Sequence, residues 1–226
     1  MVKPTLNISK NFYEKSLWKQ EKLVVGIDEV GRGCLAGPVV TAAVILPINK
    51  TSALLKDSKV LTLEERNKAY EWIIRNCYHQ IGIVHHRLID QHNIYQATKI
   101  CMKRALVNLL THCNDPIGAI VIDAMPLTLE KTGFGALPVY HFYKGETKSS
   151  SIAAASIIAK VTRDRMMESY ETLFPGYALG KHKGYATPIH QEAIRKLRES
   201  LIHRTTFLGA FLDKGTNETK SQQTLW

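Results

Sequence analysis

Acidic residues end two separate apolar segments of the chain. Residues 23–27 lead into Asp28 and Glu29, and residues 119–122 lead into Asp123. One acid after a strand would mean little, because loops are polar in any case. Two strands that both end in acids indicate a carboxylate cluster, which is costly to bury unless a cation neutralises it. Mg²⁺ or Mn²⁺ suits such oxygen ligands better than zinc does.

Several other catalytic motifs are missing from the sequence. It holds no Gly-x-Ser-x-Gly elbow, no Walker phosphate-binding loop and no His-Glu-x-x-His zinc motif. A net charge of +10 makes nucleic acid the first partner to consider, although many proteins are basic only for solubility. A basic chain with a carboxylate–metal site and no activated serine or cysteine favours phosphodiester hydrolysis, in which metal ions activate water and stabilise the leaving oxygen.

Length and composition indicate a globular intracellular protein. The chain has 226 residues, of which 45% are hydrophobic and 22% charged, and this excludes a disordered or fibrous protein. No two of the four cysteines have the C-x-x-C spacing of zinc ligands, so we expect reduced thiols. Residues 1–22 are too charged for a signal peptide, and Gly and Pro interrupt the uncharged residues 33–49. We therefore expect a soluble, cytoplasmic monomer that does not bind membranes.

Periodicity and turn residues predict the elements that carry these acids. Strands are expected at residues 23–29, 39–46, 81–86, 119–123 and 137–142, and helices at residues 62–77, 90–110, 151–173 and from 187 onward. The first two strands are joined by a glycine-rich turn and should form a hairpin. Helices that alternate with strands, one hairpin among them, indicate an α/β fold with a mixed sheet.

Two of these helices carry explicit start signals. Thr62 and Glu65 form a capping box, and Thr187 followed by Pro188 is an N-cap with proline at the first helical position. The apolar stripe of this last helix is expected to consist of Ile189, Ala193, Leu197 and Leu201. The last dozen residues have no apolar period, and we expect them to fray or to form a small appendage.

An ordered series of motifs runs through nearly the whole chain. It begins with Gly26-Ile27-Asp28-Glu29-Val30-Gly31-Arg32-Gly33 and Ala36-Gly37-Pro38-Val39-Val40. It continues with Asp57-Ser58-Lys59, Asn93-Ile94, Ala97-Thr98, Ile122-Asp123, Lys144-Gly145-Glu146, the segment 153–165 and His182-Lys183-Gly184-Tyr185-Ala186-Thr187. Over residues 20–208 this series resembles the bacterial ribonuclease HII family. An Asp-Glu pair alone would be unspecific, whereas the ordered set is highly specific.

The resemblance implies an endonuclease that acts on nucleic acid containing ribonucleotides. Its substrates would be RNA–DNA hybrids and duplex DNA with a single ribonucleotide, cut on the 5′ side to leave a 3′-hydroxyl and a 5′-phosphate. The implied fold is ribonuclease H-like, with a mixed sheet flanked by helices and a small helical C-terminal part. Residues 1–19 would form a leader, residues 20–208 the catalytic domain and residues 209–226 a tail.

The resemblance also implies which acids hold the Mn²⁺ or Mg²⁺ ions. Asp28 and Asp123 would be the central ligands, and Glu29 and Glu146 would complete the cluster. Glu146 departs from the family, in which aspartate is expected more often after the Lys-Gly pair. The extra methylene keeps the charge and changes the reach of the carboxylate, so the position and affinity of one ion come into question. A structural salt bridge is the alternative role for Glu146.

Further residues would contact the substrate by the same resemblance. The main chain of Gly31, Arg32 and Gly33 would approach the ribose, because glycines let backbone groups come close to a 2′-hydroxyl. Tyr185 would stack on the sugar beyond the scissile junction. The phosphate contacts would come from Lys144, Lys181 and Lys183. A plain hairpin turn, a core tyrosine and solvated surface lysines are the respective alternatives.

Several polar residues near these motifs are left out of the predicted site. Asp164 lies in a helical pattern, where an ion pair explains it. His182 and His190 are expected at helix ends or turns rather than on a metal, and Asp57 and Lys59 are expected to pair with each other.

Two other functions remain open from the sequence. One is a type-three ribonuclease H, which prefers RNA tracts, although the Gly-Arg-Gly turn and the absence of a long N-terminal substrate-binding domain disfavour it. The other is a non-catalytic nucleic-acid-binding module on the same fold. Such a module would be expected to lack one of the four site carboxylates, and here all four positions hold Asp or Glu.

Overall fold

The computed structural model describes residues 9–212, with side chains up to residue 209, and centres on one mixed five-stranded sheet. The strands are β1 (Leu23–Val30), β2 (Val39–Ile45), β3 (Tyr78–Val84), β4 (Ile117–Asp123) and β5 (Val139–Phe142). They lie side by side in the order β3-β2-β1-β4-β5. β1 pairs antiparallel with β2 and parallel with β4, so the predicted hairpin and mixed sheet are both confirmed.

Helices cover both faces of this sheet. They are α1 (Phe12–Trp18), α2 (Leu63–Asn76), α3 (His86–His112), α4 (Gly145–Lys148), α5 (Ser150–Leu173), α6 (Leu179–His182), α7 (Pro188–Leu197) and α8 (Thr205–Leu212). Helices α2 and α5 bury one face, and α3 buries the other. Every residue of β2 is therefore buried, which explains its uninterrupted apolar sequence.

Helix α5 lies directly on the central strand. A Cβ atom built on Gly26 would be 2.1 Å from the carbonyl carbon of Ser151, so only glycine permits this approach. The helix starts at Ser149, whose hydroxyl accepts a hydrogen bond from the backbone N–H of Ile152 at 3.1 Å. The close contact brings the start of α5 against the strand that ends in the two acids.

The capping box of α2 forms as predicted. Thr62 Oγ1 accepts from the Glu65 N–H at 3.2 Å, and Glu65 Oε2 accepts from the Thr62 N–H at 2.9 Å. Thr187 caps α7 in the same way, by accepting from the N–H of His190. Local hydrogen bonding therefore sets both starts without help from distant residues.

The apolar stripe predicted for α7 is wrong. Ile189, Leu197 and Leu201 are 57%, 50% and 74% exposed, and Leu201 lies beyond the end of the helix. The helix instead buries His190, Ala193 and Ile194 against the C-terminal core. A histidine can occupy the buried face because both of its ring nitrogens have hydrogen-bond partners there.

Some element bounds also differ from the prediction. β3 begins at Tyr78, and α3 begins at His86 with a break at Asn93, where φ is 63° and ψ is 164°. Helix α1 was not expected, and it lies within the predicted leader. Helix α8 crosses the predicted boundary between residues 208 and 209. Residues 1–8 of the leader and residues 213–226 of the tail lie outside the described residues.

None of the described helices is long and apolar enough to cross a membrane.

Candidate active site

Two parallel strands bring the first three acids together. The register pairs Ile27 of β1 with Ile122 of β4, so the next residues, Asp28 and Asp123, lie side by side at the same end of the sheet. Asp28 is 8% exposed and accepts a hydrogen bond from the backbone N–H of Glu29 at 2.7 Å. Glu29 follows on the same strand, and its Oε1 accepts from Arg32 Nη1 at 3.2 Å.

The short helix α4 supplies the fourth acid. The backbone N–H of Gly145 donates to Asp123 Oδ1 at 2.7 Å, which ties α4 to the end of β4. Glu146 follows at once and is 8% exposed. The residue before the helix, Lys144, has a φ of 57°, and this turn directs the chain from β5 back toward Asp123. The structure therefore brings all four predicted acids to one region.

Burial makes this cluster electrostatically unfavourable. The pKa of Asp28 is raised well above its usual range, first by burial and then by the charges of Glu29 and Asp123. Burial likewise raises the pKa values of Glu29, Asp123 and Glu146, and Asp123 adds to the effect on both glutamates. The hydrogen bond from the Glu29 N–H lowers the pKa of Asp28 and offsets only part of this effect. The four carboxylates therefore resist being charged together.

Two carboxylate oxygens of the cluster are buried and have no protein partner. Glu29 Oε2 and Glu146 Oε2 accept no hydrogen bond from the described residues. Such orphaned acceptors are rare in folded proteins and are expected where an ion or water supplies the missing contact. The carboxylate oxygens of the cluster are therefore suitable ligands for a hard divalent cation. Among the described residues no three His, Cys, Asp or Glu side chains already form a ready-made ligand group, so the carboxylates would have to rotate to share an ion.

Two buried arginines donate hydrogen bonds to the loop between β1 and β2. Gly31 and Gly37 have φ values of 91° and 84°, which non-glycine residues rarely adopt. Arg163 of α5 donates to the carbonyls of Pro38 and Ala36, and Arg204 donates to those of Gly31, Arg32 and Gly37. Arg204 was not predicted, because nothing in a sequence distinguishes a buried arginine from one on the surface.

Tyr185 lies beside this loop. It forms an isolated β-bridge with Cys34, and the adjacent Gly184 carbonyl accepts from the Leu35 N–H at 2.8 Å. Its side chain is 40% exposed, so it is not a core tyrosine. The guanidinium of Arg163 lies 5.9 Å from the ring centroid and supports one face of it.

The three predicted lysines differ in their surroundings. Lys144 and Lys181 are exposed, and neither forms an ion pair with a described residue. Lys183 is half-buried, and its Nζ lies 2.7 Å from Glu168 Oε1. Lys183 is therefore already paired within the protein, whereas Lys144 and Lys181 are open to an anionic partner.

The structure places the Asp57-Ser58-Lys59 motif closer to the acids than expected. Asp57 Oδ1 accepts from the backbone N–H of Lys59 at 2.9 Å, and the charges of both residues influence Asp123 and Glu146. Ser58 Oγ lies 2.9 Å from Ser156 Oγ on α5, and Ser156 contributes to lowering the pKa of Asp28. The order of the motifs was the only sequence signal of this proximity. Asp164, in contrast, pairs with Lys160 at 2.8 Å along α5, as expected for a helix ion pair.

Three histidines form a buried cluster behind Tyr185. The rings of His182 and His190 stack at 4.2 Å, and His190 Nε2 lies 3.0 Å from His203 Nε2. His190 Nδ1 also bonds to the Tyr185 carbonyl at 2.9 Å. Burial lowers the pKa values of both His190 and His203 to about 4, so both rings are neutral at pH 7.

These lowered pKa values predict a loss of stability in mild acid. Between about pH 6.5 and pH 4 the unfolded chain binds protons at His203 that the folded chain does not, so the free energy of unfolding falls as the pH falls. The limiting slope is about 1.4 kcal/mol per pH unit for each proton. We expect the stability of the wild type relative to His203→Gln to decrease from pH 7 to pH 5 in urea titrations. The matched control is His92→Gln, at an exposed position, and a pH-independent difference for His203→Gln would contradict the prediction.

Comparison with known proteins matches most of the chain to one family. A family model described as Ribonuclease HII covers residues 25–209. The ribonuclease HII of Lactobacillus delbrueckii subsp. bulgaricus is 44% identical over 196 residues, which is 86% of this chain and 73% of that protein. The ribonuclease HII of Listeria innocua is 46% identical over 197 residues, again 86% of this chain and 72% of that protein.

Solved structures agree in fold. A chain of the PCNA:RNase HII complex from Archaeoglobus fulgidus has a TM-score of 0.66 at 26% identity and matches 90% of this chain and 98% of that chain. Bst-RNase HIII in complex with Mn²⁺ has a TM-score of 0.70 at 22% identity, over 87% of this chain and 71% of that chain, and this likeness shows the fold alone. Because the family model spans most of the chain and several bacterial relatives exceed 40% identity, the chain belongs to the ribonuclease HII family of nucleases.

Proposed function

We propose that this protein is a divalent-metal-dependent endonuclease that recognises ribonucleotides in a duplex. It would hydrolyse the RNA strand of RNA–DNA hybrids and cut on the 5′ side of a single ribonucleotide in DNA, leaving a 3′-hydroxyl and a 5′-phosphate. The observation that carries the proposal is the cluster of Asp28, Glu29, Asp123 and Glu146, with two buried oxygens that no described residue satisfies. Family membership supports RNA-strand hydrolysis in general, and the cluster supports the metal-dependent chemistry.

Asp28 and Asp123 would hold the catalytic ions, with Glu29 and Glu146 completing the set. Divalent ions at such a site lower the pKa of the attacking water and stabilise the negative charge that develops on the phosphate and the leaving oxygen. Mn²⁺ and Mg²⁺ both suit an all-carboxylate site. The chain's own task is to hold the acids in place, which the Gly145 N–H does for Asp123 and the Glu29 N–H does for Asp28.

The loop at residues 31–33 and Tyr185 would read the sugar. The loop directly follows the strand that carries Asp28 and Glu29, and the bridge between Cys34 and Tyr185 links it to Tyr185. The partly exposed Tyr185 ring provides a flat apolar face on which a sugar can pack. Lys144 and Lys181 would bind backbone phosphates, and such contacts set register rather than sequence preference.

If the cluster binds metal, the substitution Asp28→Asn should change the stability of the protein in opposite directions with and without the ion. At pH 7 Asp28→Asn removes a buried charge whose pKa is raised in the folded state, so the metal-free variant should be more stable than the wild type. An ion at 100 times its dissociation constant stabilises the wild type by about 2.7 kcal/mol, and the variant should lose most of this gain. Thermal unfolding with and without Mn²⁺ measures both effects.

Asp164→Asn is the matched control for this substitution. Asp164 belongs to an ion pair with Lys160 on the same helix that covers the site, so its removal should leave the stabilisation by Mn²⁺ intact. An equal Mn²⁺ response in the wild type and in Asp28→Asn would exclude Asp28 as a ligand.

The activity itself is tested on a DNA duplex that carries one ribonucleotide. With Mn²⁺ or Mg²⁺ we expect a single cut on its 5′ side, and Asp123→Asn should lower kcat by at least about 100-fold, the loss of roughly 2.7 kcal/mol of transition-state stabilisation. Its affinity for the duplex should change by no more than a few-fold, since the fold and the basic surface are retained. Asp164→Asn again serves as the control.

The alternatives predict other outcomes in the same assay. Cleavage of RNA tracts without cleavage at the single ribonucleotide would indicate the type-three specificity. Tight binding of the duplex with no cleavage under either ion would indicate a binding module and would refute the proposed activity.

A further inference from the structure

Arg204 is a fully buried arginine whose guanidinium binds the carbonyls of one loop. Nη2 donates to the carbonyl oxygens of Gly31 at 2.6 Å and Gly37 at 2.9 Å, and Nη1 donates to that of Arg32 at 2.8 Å. Nε donates to Gly37 as well, at 3.1 Å. Within the described part of the chain Arg204 forms no ion pair with a carboxylate.

Placing a lone charge in this position is energetically unfavourable without compensation. Burial lowers the pKa of Arg204 to about 10, so the group remains protonated at pH 7 while it is removed from water. Four hydrogen bonds to backbone carbonyls offset that cost. An apolar side chain of the same volume would leave these three carbonyls without that donor, so arginine supplies both their hydrogen bonds and their fixed orientation.

The guanidinium is itself positioned by the backbone on both sides. The Arg204 N–H donates to the Leu35 carbonyl at 2.8 Å, next to the isolated β-bridge between Ala36 and His203. On the other side Asp90 accepts hydrogen bonds from the backbone N–H groups of Thr205 and Thr206, at 3.0 Å and 3.1 Å. Asp90 thereby anchors the start of α8 immediately after Arg204.

Fixing these carbonyls also fixes the N–H groups of the same peptide units. The Gly31 carbonyl shares its peptide plane with the Arg32 N–H, and the Arg32 carbonyl shares its plane with the Gly33 N–H. In a trans peptide the N–H points opposite to the C=O, so both N–H groups point away from Arg204. Neither finds an acceptor among the described residues. A Cβ built on Gly33 would meet nothing within 4 Å, so the space in front of it is open.

We propose that Arg204 is a positioning residue for ribose recognition. By holding the carbonyls of Gly31 and Arg32, it directs the N–H groups of Arg32 and Gly33 toward the ribose and the adjoining backbone oxygens of a bound ribonucleotide. Arg204 does not itself touch the substrate. The inference rests on the proposed function, because it assumes that this loop reads the sugar.

The second buried arginine binds other carbonyls. Arg163 donates to the carbonyls of Pro38, Ala36 and Lys183, at 2.9 Å, 3.1 Å and 2.7 Å. These bonds hold the far end of the loop and the turn before Tyr185. Arg163 also packs against Gly31, but only Arg204 binds the carbonyls of Gly31 and Arg32.

The test compares the affinities for a duplex with one ribonucleotide and for the same duplex made only of DNA. Divalent metal is left out, so that no cleavage occurs. Arg204→Lys keeps the charge but cannot bridge three carbonyls, because an ammonium lacks the planar fork of a guanidinium. The wild type should bind a duplex with one ribonucleotide more tightly than the same duplex made only of DNA. We expect Arg204→Lys to lose about tenfold of this preference, the value of one well-directed hydrogen bond, with unchanged affinity for the all-DNA duplex.

Ile194→Ala separates this effect from simple destabilisation. Ile194 is buried in the same C-terminal core and makes no hydrogen bond to the loop, so its variant should lose stability and keep the preference. Asp90→Ala is a milder second variant that loosens the start of α8, and it should lose a few-fold of the preference even if Arg204→Lys does not fold.

The outcomes distinguish the inference from the proposed function. If the wild type binds the duplex with one ribonucleotide no more tightly than the all-DNA duplex, the proposal that this protein recognises the ribose is refuted. A wild-type preference that folded Arg204→Lys retains in full would refute the role of Arg204 alone. If Arg204→Lys does not fold, the role of Arg204 is refuted when Asp90→Ala keeps the full wild-type preference for the ribonucleotide.

Discussion

Mutual repulsion among four buried carboxylates is the interaction that the surrounding structure has to accommodate. The parallel register of β1 and β4 places Asp28 next to Asp123, and α5 packs directly on Gly26, two residues before Asp28. Burial then raises the pKa of every member of the cluster. A fold optimised for stability alone would not keep four such groups together, so the cost indicates a site that a cation completes.

Hydrogen bonds from the rest of the molecule hold the acids and the neighbouring loop in place. Backbone N–H groups of Glu29 and Gly145 orient Asp28 and Asp123, and the buried Arg163 and Arg204 hold the loop that follows β1. Because Arg204 comes from the C-terminal part of the chain, the small helices α6 to α8 do more than extend the core. They connect the loop, Tyr185 and the histidine cluster into one packed unit next to the acids.

Sequence patterns predicted the parts of this arrangement that depend on local order. Apolar segments ending in Asp28 and Asp123 sufficed to predict a carboxylate cluster, and the capping box at Thr62 predicted the start of α2. The roles of Arg204 and His190 could not be predicted in this way, because each depends on partners brought together by folding. A buried polar residue that is fully hydrogen-bonded looks in a sequence like a surface residue, and the stripe predicted for α7 failed for that reason.

Diffraction from crystals grown with Mn²⁺, measured at a wavelength where manganese scatters anomalously, tests the central claim most directly. The account predicts an anomalous peak between Asp28 and Asp123, with Glu29 Oε2 or Glu146 Oε2 turned onto the ion. An anomalous map with no peak among these four carboxylates, at Mn²⁺ concentrations that support cleavage, would contradict it.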